Sequence, residues 1–240
     1  ISDYTQVNLA GYISGGNGQS FNGMIAPGQA FIVQANSNAV MNFRQSMQAL
    51  NPAGFFKSGS WKGNSKPRDL RHLRIQAEGN HAENETLVAF TEKATEGRDF
   101  KLDGLKRKGN PRMSFYSILN DKPMGIQALP FHREETTVSL GLDVAEAGTY
   151  SIAIKENDLP ADVAVILHDL HKDKQINLKS GNRYTFDSKA GNFRERFVLA
   201  FNEGNPDNAP AAGNADIRIK VMNNRMLLER DQGDVRRSHI

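Results

Sequence analysis

Residues Val138 to Asn202 read VSLGLDVAEAGTYSIAIKENDLPADVAVILHDLHKDKQINLKSGNRYTFDSKAGNFRERFVLAFN, and this stretch decides the fold. Short apolar runs alternate with polar residues, and clusters of Gly, Asn, Asp and Pro separate them. The runs are Val138-Leu140-Leu142, Tyr150-Ile152-Ile154, Val163-Val165-Leu167, Tyr184-Phe186 and Phe197-Leu199-Phe201. A period of two places one side of each strand in a core. The stretch therefore predicts an all-β fold, an antiparallel jelly-roll-like β-sandwich with flanking β segments.

The composition excludes cysteine-based chemistry and argues against a nucleic-acid partner and a membrane-spanning segment. Of the 240 residues, 38% are hydrophobic and 24% are charged, and the net charge is +3. The charges of both signs are interspersed, so no nucleic-acid partner is expected. The chain has no cysteine, which excludes disulfides, thiolate nucleophiles and cysteine-ligated metals. No apolar run is long enough for a membrane-spanning segment, and a start at Ile1 is expected of an internal fragment or a processed product.

Turn and linker composition divides the chain into four predicted parts. Residues 1–57 form an N-terminal β segment or a small β-subdomain, in which residues 30–35 (AFIVQA) are expected to be a buried strand. Residues 58–202 form the main β-sandwich. Residues 203–214 form a linker, because Pro, Gly, Asn and Ala there offer little to bury. Residues 215–240 begin a further, incomplete β domain.

Several segments carry a family resemblance through their order and spacing. They are Ile25–Ala35 (IAPGQAFIVQA), Arg71–Ile75 (RHLRI), Gly97–Lys106 (GRDFKLDGLK), Gly148–Tyr150 (GTY), Leu167–Leu170 (LHDL), Tyr184–Phe186 (YTF) and Arg196–Phe197 (RF). Together they resemble the β-sandwich modules that precede the C-terminal sorting domain in Bacteroidetes proteins exported by the type IX secretion system. Asp99 and Phe100 stand in the reverse of the family's order.

The resemblance covers roughly residues 25–201. It implies export, an all-β fold and no shared catalytic activity. It also implies that residues 215–240 are the first strands of a sorting-type domain, joined to the sandwich by the linker.

Three aspartates are weak candidates for metal ligands. Asp99, Asp103 and Asp121 lie in turns and carry oxygen ligands of the kind that calcium prefers. Aspartates in turns more often accept hydrogen bonds from backbone N–H groups two residues on, and we favour that role. A second cluster, His168 to Asp173, is better explained as a strand end and a turn, because His168 and His171, three residues apart in a strand, would face opposite ways. No metal or other cofactor is predicted.

Trp61 and Asn64 are the candidate ligand-binding residues. The single tryptophan of the chain lies in a connector with Asn64 nearby, and together they could stack on and hydrogen-bond to a sugar ring. We favour the alternative, in which Trp61 anchors the connector by burying its large apolar area. Arg196 is expected to reach an internal carboxylate in a structural role, whereas Arg194 is expected to stay in solvent.

The sequence contains none of the motifs of hydrolases or phosphate-binding loops. It therefore predicts a non-enzymatic module of an exported cell-surface or secreted protein, serving adhesion, assembly or spacing. The alternative is a carbohydrate-binding module appended to a secreted polysaccharide-degrading enzyme. The expected partners are other surface proteins or copies of the chain, through exposed β edges, and in the alternative glycans. An assembly unit needs exposed edges or apolar patches, whereas a sugar binder needs exposed aromatic side chains on one face.

Overall fold

The computed structural model describes residues 4–15, 24–25, 30–35, 37–38, 40–48, 69–130, 136–179, 181–203, 217–222 and 225–230. Within these ranges the regular structure is fifteen strands and one short 3₁₀ turn, which confirms the predicted all-β class. The strands are β1 (Gln6–Asn8), β2 (Gly11–Ile13), β3 (Arg71–Gly79), β4 (Ala82–Phe90), β5 (Gly104–Leu105), β6 (Met113–Leu119), β7 (Lys122–Leu129), β8 (Thr136–Val144), β9 (Gly148–Asn157), β10 (Val163–Asp169), β11 (Lys174–Asn177), β12 (Tyr184–Ser188), β13 (Gly191–Glu203), β14 (Ile217–Met222) and β15 (Arg225–Arg230). No helix in the described ranges is long and apolar enough to span a membrane.

Strand pairing joins eleven strands into one sheet that bends into two layers. Layer one has the strand order β4-β3-β9-β12, and layer two has the order β6-β8-β13-β10-β11. β7 joins the layers, because its first residues pair with β6 and its last residues pair with β4. The β4–β7 pair is parallel, whereas the other pairs in the described chain are antiparallel.

The main core lies between the two layers. Its members come from both layers and include nearly all of the alternating apolar residues that the sequence predicts to face inward; Ile154 is only partly buried. The ring centroids of Phe186 in layer one and Phe197 in layer two are 4.9 Å apart, and those of Phe90 and Phe201 are 5.0 Å apart. Burial of each such side chain stabilises the fold by roughly 1.5–3 kcal/mol, so this interface supplies the main stabilisation of the sandwich.

Two hairpins turn through residues with positive φ. The β3–β4 turn has Asn80 and His81 at φ of 48° and 57°, and the β6–β7 turn has Asn120 and Asp121 at 48° and 62°. Two-residue turns with positive φ at both positions match the twist of the flanking strands. The sequence of residues 115–129 also predicts a hairpin across residues 120–123, and the antiparallel β6–β7 pair confirms it.

The β1–β2 hairpin packs on the outer side of β4 and β7. Ile13 and Ala10 meet Leu87, Ile126 and Ala128 in a second, smaller core. The hairpin comes close because β7 has glycine at position 125, where an added Cβ would lie 2.7 Å from the Ile13 Cδ1 atom. β14 and β15 pair with each other in a separate two-stranded sheet, as their sequences predict.

The buried strand predicted for residues 30–35 is wrong. These residues form no strand, and Ile32 is 70% exposed. An alternating apolar segment becomes a buried strand only when a sheet edge pairs with it and a core covers it. The sequence also allows a helix at residues 44–50, which Asn51-Pro52 would end. In the described part, only the 3₁₀ turn Gln45–Met47 forms there.

Candidate functional site

An exposed apolar segment precedes the sandwich in the sequence. Of the thirteen exposed large hydrophobic side chains in the described residues, eight fall between positions 25 and 47. They are Ile25, Phe31, Ile32, Val33, Val40, Met41, Phe43 and Met47, which we call the N-terminal apolar segment. The rings of Phe31 and Phe43 meet edge to face with their centroids 6.1 Å apart. Soluble monomers rarely expose large contiguous apolar patches, and such patches mark sites of interaction.

The large sheet ends in two edge strands, β11 and β12. Beyond its last pair with β12, at Ile152, β9 continues to Asn157, and a bulge there interrupts its pairing with β3. Lys155 lies at this bulge and Lys174 opens β11. Bulges and lysines on an edge oppose uncontrolled strand addition. These features therefore protect the two edges against unselective strand addition.

A buried cluster of three side chains, which we call the interlayer clamp, ties the two layers together. Asp169 at the end of β10 accepts hydrogen bonds from Arg196 Nη2 at 2.8 Å and from the Tyr184 hydroxyl at 2.8 Å. The Arg196 guanidinium lies over the rings of Phe186 and Phe197, at 4.5 Å and 4.8 Å from their centroids. The internal carboxylate predicted for Arg196 is thus Asp169, and the prediction is confirmed. Arg194 is exposed, as predicted.

Charge compensation keeps the clamp ionised. Burial pushes the pKa of the Asp169 carboxyl upward, but the bonds from Arg196 and Tyr184 outweigh it and the net shift is downward. Burial and the bond to Asp169 raise the pKa of Tyr184 to about 12. The phenol therefore remains a hydrogen-bond donor at physiological pH, and the cluster serves stability rather than proton transfer.

A second ionic network, around Glu85, fastens the β1–β2 hairpin to layer one. The Glu85 carboxylate lies 2.9 Å from Arg74 Nη1 and 2.9 Å from Lys155 Nζ, and it accepts the Ser14 N–H at 2.5 Å. Arg74 also donates to the Tyr12 carbonyl at 2.5 Å. Burial raises the pKa of Glu85, but Arg74, Ser14 and Lys155 together bring it below its ordinary value. The network holds both the second strand of the hairpin and the residue after it.

An open groove of about 1120 Å³ crosses layer one at the end that carries the β3–β4 turn, and we call it the end groove. Its floor contains a row of directly opposed residues, one from each strand of the layer. The row is Thr185 in β12, Ser151 in β9, Glu78 in β3 and Glu83 in β4. His81 and Arg112 belong to the two loops that border it.

The polar groups of the floor are held by one another. Arg183 forms an ion pair with Glu78 and donates to the Ser151 hydroxyl at 2.8 Å. Gln76 Nε2 donates to Glu83 Oε2 at 2.7 Å. The two carboxylates stand directly opposite each other in neighbouring strands, an arrangement that is destabilising unless it is compensated. A site that keeps such a pair is a candidate for function.

The residues that the end groove brings together come from distant parts of the sequence. Sequence reasoning missed them because it did not establish which strands are neighbours. The available signal was the period of two: Glu78, Ser151 and Thr185 occupy the polar positions of alternating strands.

A model for a domain of unknown function (DUF8693) matches residues 1–201. The chain belongs to this family. The part matched by the DUF8693 model contains the β1–β2 hairpin and the sandwich strands as far as Phe201 in β13, while β14 and β15 lie beyond it.

Beyond the DUF8693 family, the chain is similar to the minor fimbrium subunit Mfa5 of Porphyromonas gingivalis. The identity is 25% over 171 residues, which cover 69% of this chain and 14% of that protein. The chain therefore spans a small part of the length of this relative. No solved structure matches the chain.

The candidate residues from the sequence fall in three places in the DUF8693 chain. Trp61 and Asn64 lie outside the described residues. Asp99 and Asp103 cap a turn: Asp99 accepts the Thr95 N–H at 2.6 Å, and Asp103 accepts the N–H groups of Asp99 and Ala128. Burial raises the pKa of Asp103.

Asp121 lies in a different turn from Asp99 and Asp103, the positive-φ turn between β6 and β7. Across the described ranges, no group of three or more His, Asp or Glu side chains could hold a metal ion. Asp99 and Asp103 thus accept backbone N–H groups, but from residues four positions earlier and from Ala128 rather than from two residues on as the sequence predicts. The three aspartates do not form one group within the described residues.

Proposed function

We propose that the chain is a non-enzymatic module of an exported cell-surface or secreted bacterial protein, and that it serves assembly, adhesion or spacing. The observation that carries the proposal is the exposure of the N-terminal apolar segment, in contrast to the few exposed apolar side chains of the sandwich. The similarity to a subunit of a fimbrium supports the same reading. The partner is a neighbouring subunit, either a second copy of this chain or another surface protein.

The contrast in exposure within one chain supports an assembly role. Between residues 69 and 201, only Phe100 and Leu170 are exposed large hydrophobic side chains among those described. Val40 is 83% exposed and Phe43 is 74% exposed, so each leaves most of its apolar area in water. Covering such area with a neighbouring subunit contributes roughly 25 cal/mol per Å².

The sequence of the segment fits addition to a sheet edge. Phe31, Ile32 and Val33 are residues of high β propensity, and they form no strand within the chain. In this proposal they pair with an edge of the neighbouring subunit, such as β11 or β12 in a second copy. Main-chain hydrogen bonds then give affinity, and the side chains give specificity.

Export by the type IX secretion system and residence at the outer membrane form the finer part of the proposal. They rest on the resemblance of residues 25–201 to the modules that precede sorting domains. In that reading β14 and β15, which pair with each other, are the first strands of the sorting domain. The test is cellular: fractionation of a host with and without the secretion system should place the full-length protein at the surface only when the system is present.

Self-association tests the assembly role directly. We expect the wild-type chain to associate with increasing concentration in sedimentation equilibrium. The Phe31→Ser/Phe43→Ser double variant should weaken the association, because it removes two exposed rings that contact each other. Phe100→Ser is the matched control, since Phe100 is also an exposed phenylalanine, 57% exposed, but lies in the sandwich.

The outcomes separate clearly. A wild-type chain that is monomeric at all concentrations, and that also fails to bind full-length neighbouring surface subunits from the same operon, contradicts the proposal. Equal loss of association in Phe100→Ser also contradicts it, because the effect would then follow general hydrophobicity rather than the N-terminal apolar segment.

A further inference from the structure

We infer that the end groove is a binding site for an uncharged, hydroxyl-rich chain, namely a neutral oligosaccharide. The site is distinct from Trp61 and Asn64, and from the N-terminal apolar segment. The inference rests on three properties of the groove: its shape, its balance of charge, and its arrangement of donors and acceptors.

The shape suits an extended ligand. The volume of about 1120 Å³ is slightly above the usual range of roughly 300–1,000 Å³ for small-molecule sites, so the groove has room for an extended ligand. The floor crosses four strands, β12, β9, β3 and β4, and adjacent strands lie about 4.8 Å apart, so its length is roughly 14 Å. A ligand in it lies across the strands, and it is therefore not an added β-strand.

The balance of charge favours a neutral ligand. Glu78 and Glu83 contribute two negative charges, and Arg112 and Arg183 contribute two positive charges. Because Arg183 is already paired with Glu78, the floor has no strong excess of either sign. A polyanion such as a phosphorylated ligand or a polycation would gain little attraction here.

The arrangement of donors and acceptors matches hydroxyl groups, each of which both donates and accepts. Carboxylates of Glu78 and Glu83 accept, the Arg183 guanidinium donates, and the hydroxyls of Thr185 and Ser151 do both. The bonds from Gln76 to Glu83 and from Arg183 to Ser151 hold these groups in place before a ligand arrives, which lowers the entropic cost of binding.

The apolar part of the groove is small, because the Tyr150 ring beside it is 2% exposed and belongs to the main core. Gly79 and Tyr150 are opposite each other in β3 and β9, and a Cβ at Gly79 would lie 2.5 Å from the Tyr150 ring. Ala82 and Pro111 complete the apolar lining. A wholly apolar ligand would leave the carboxylates desolvated and unpaired, which is costly.

Binding in solution tests the inference with three neutral probes: maltohexaose, cellohexaose and a linear mannohexaose. Each is titrated against the wild-type chain by calorimetry and by NMR of labelled protein. We expect saturable binding of at least one probe, with the largest shift changes at Glu78, Glu83 and Ser151. Glu83→Gln should weaken that binding by about tenfold, since it removes a charged hydrogen-bond acceptor.

A second variant protects the test against misfolding. Thr185→Trp adds bulk at an exposed position of the groove and should abolish binding while leaving the thermal midpoint unchanged. Glu195→Gln in β13, an exposed glutamate of layer two, is the matched control and should bind as wild type does.

Three results overturn the inference: no binding of any of the three probes, binding of hexalysine or heparin in preference to them, or binding that neither Glu83→Gln nor Thr185→Trp reduces. None of these results bears on self-association through Phe31 and Phe43, so the two proposals fail separately.

Discussion

Asp169 keeps its negative charge at a position with no solvent exposure, and three donors account for this: Arg196, the Tyr184 hydroxyl and the His171 N–H. An isolated buried carboxylate would become protonated instead. The buried charges of Asp169 and Arg196 are thus stable only together, because the loss of either side chain leaves the other charge uncompensated.

Arg196→Met should lower the free energy of unfolding by about 3–5 kcal/mol, because it leaves the Asp169 charge buried without its main partner. Arg194→Met, two residues earlier in β13 and exposed, should change it by less than about 0.5 kcal/mol. Urea denaturation followed by circular dichroism measures both. If Arg196→Met lowers the free energy of unfolding as little as Arg194→Met does, the interlayer clamp adds nothing to stability.

The second prediction concerns acid. His72 and Arg74, against the effect of burial, hold the pKa of Glu156 at about 2, below the ordinary 4.5. A carboxyl with a lowered native pKa stabilises the fold above its ordinary pKa, and this contribution is lost as the pH falls through the native value. The stability difference between wild type and Glu156→Gln should therefore be largest above pH 4.5 and should vanish towards pH 2. Thermal midpoints across this range test it, and a difference independent of pH would contradict it.

Among the elements, the β1–β2 hairpin depends on a glycine in β7. An added Cβ at Gly125 would meet the Gln6 side chain, whose Nε2 donates to the Leu105 carbonyl at 2.5 Å. Gly125→Ala should therefore speed amide exchange in residues 6–13 and cost about 1 kcal/mol, the worth of one hydrogen bond. Gly97→Ala is the control, because its nearest neighbour would be a side-chain oxygen at 3.7 Å. Unchanged exchange in Gly125→Ala would show that the hairpin does not rest on this contact.

Most elements could be predicted from the sequence because their signals are local. Alternation identifies Val138, Leu140 and Leu142 as inward-facing, and all three are buried. The turn at Asn120 and Asp121 is predictable because Asn and Asp tolerate the positive φ that a two-residue hairpin turn requires. Pairing between distant segments has no such signal, so the parallel β4–β7 pair and the row of residues in the end groove could not be predicted. Residues 30–35 show the opposite error, since a strand-like pattern does not supply a partner.

For the whole molecule, we predict a boundary after the sandwich. Residues 204–214 are rich in Pro, Gly, Asn and Ala, and such a composition favours proteolytic access. Limited proteolysis should cut first between Gly204 and Asn214 and leave a resistant core that ends near Phe201, the last residue of the family match. Mass spectrometry of the products tests this. Earlier cleavage inside the loops of residues 71–201 would place the boundary elsewhere.

The central position of β13 in layer two has a consequence for how the chain folds during synthesis. β8 and β10 flank it, and it is the last sandwich strand in the sequence. A nascent chain that has not yet reached residue 191 therefore exposes one edge of β8 and one edge of β10. The part of the core that β13 covers in the folded protein is then open to water. Pairing of strands that are distant in sequence is slow, and the intermediates that precede it expose apolar surface and are prone to aggregate unless chaperones bind them. The sandwich should thus close only after β13 has left the ribosome, with a single commitment step when β13 inserts.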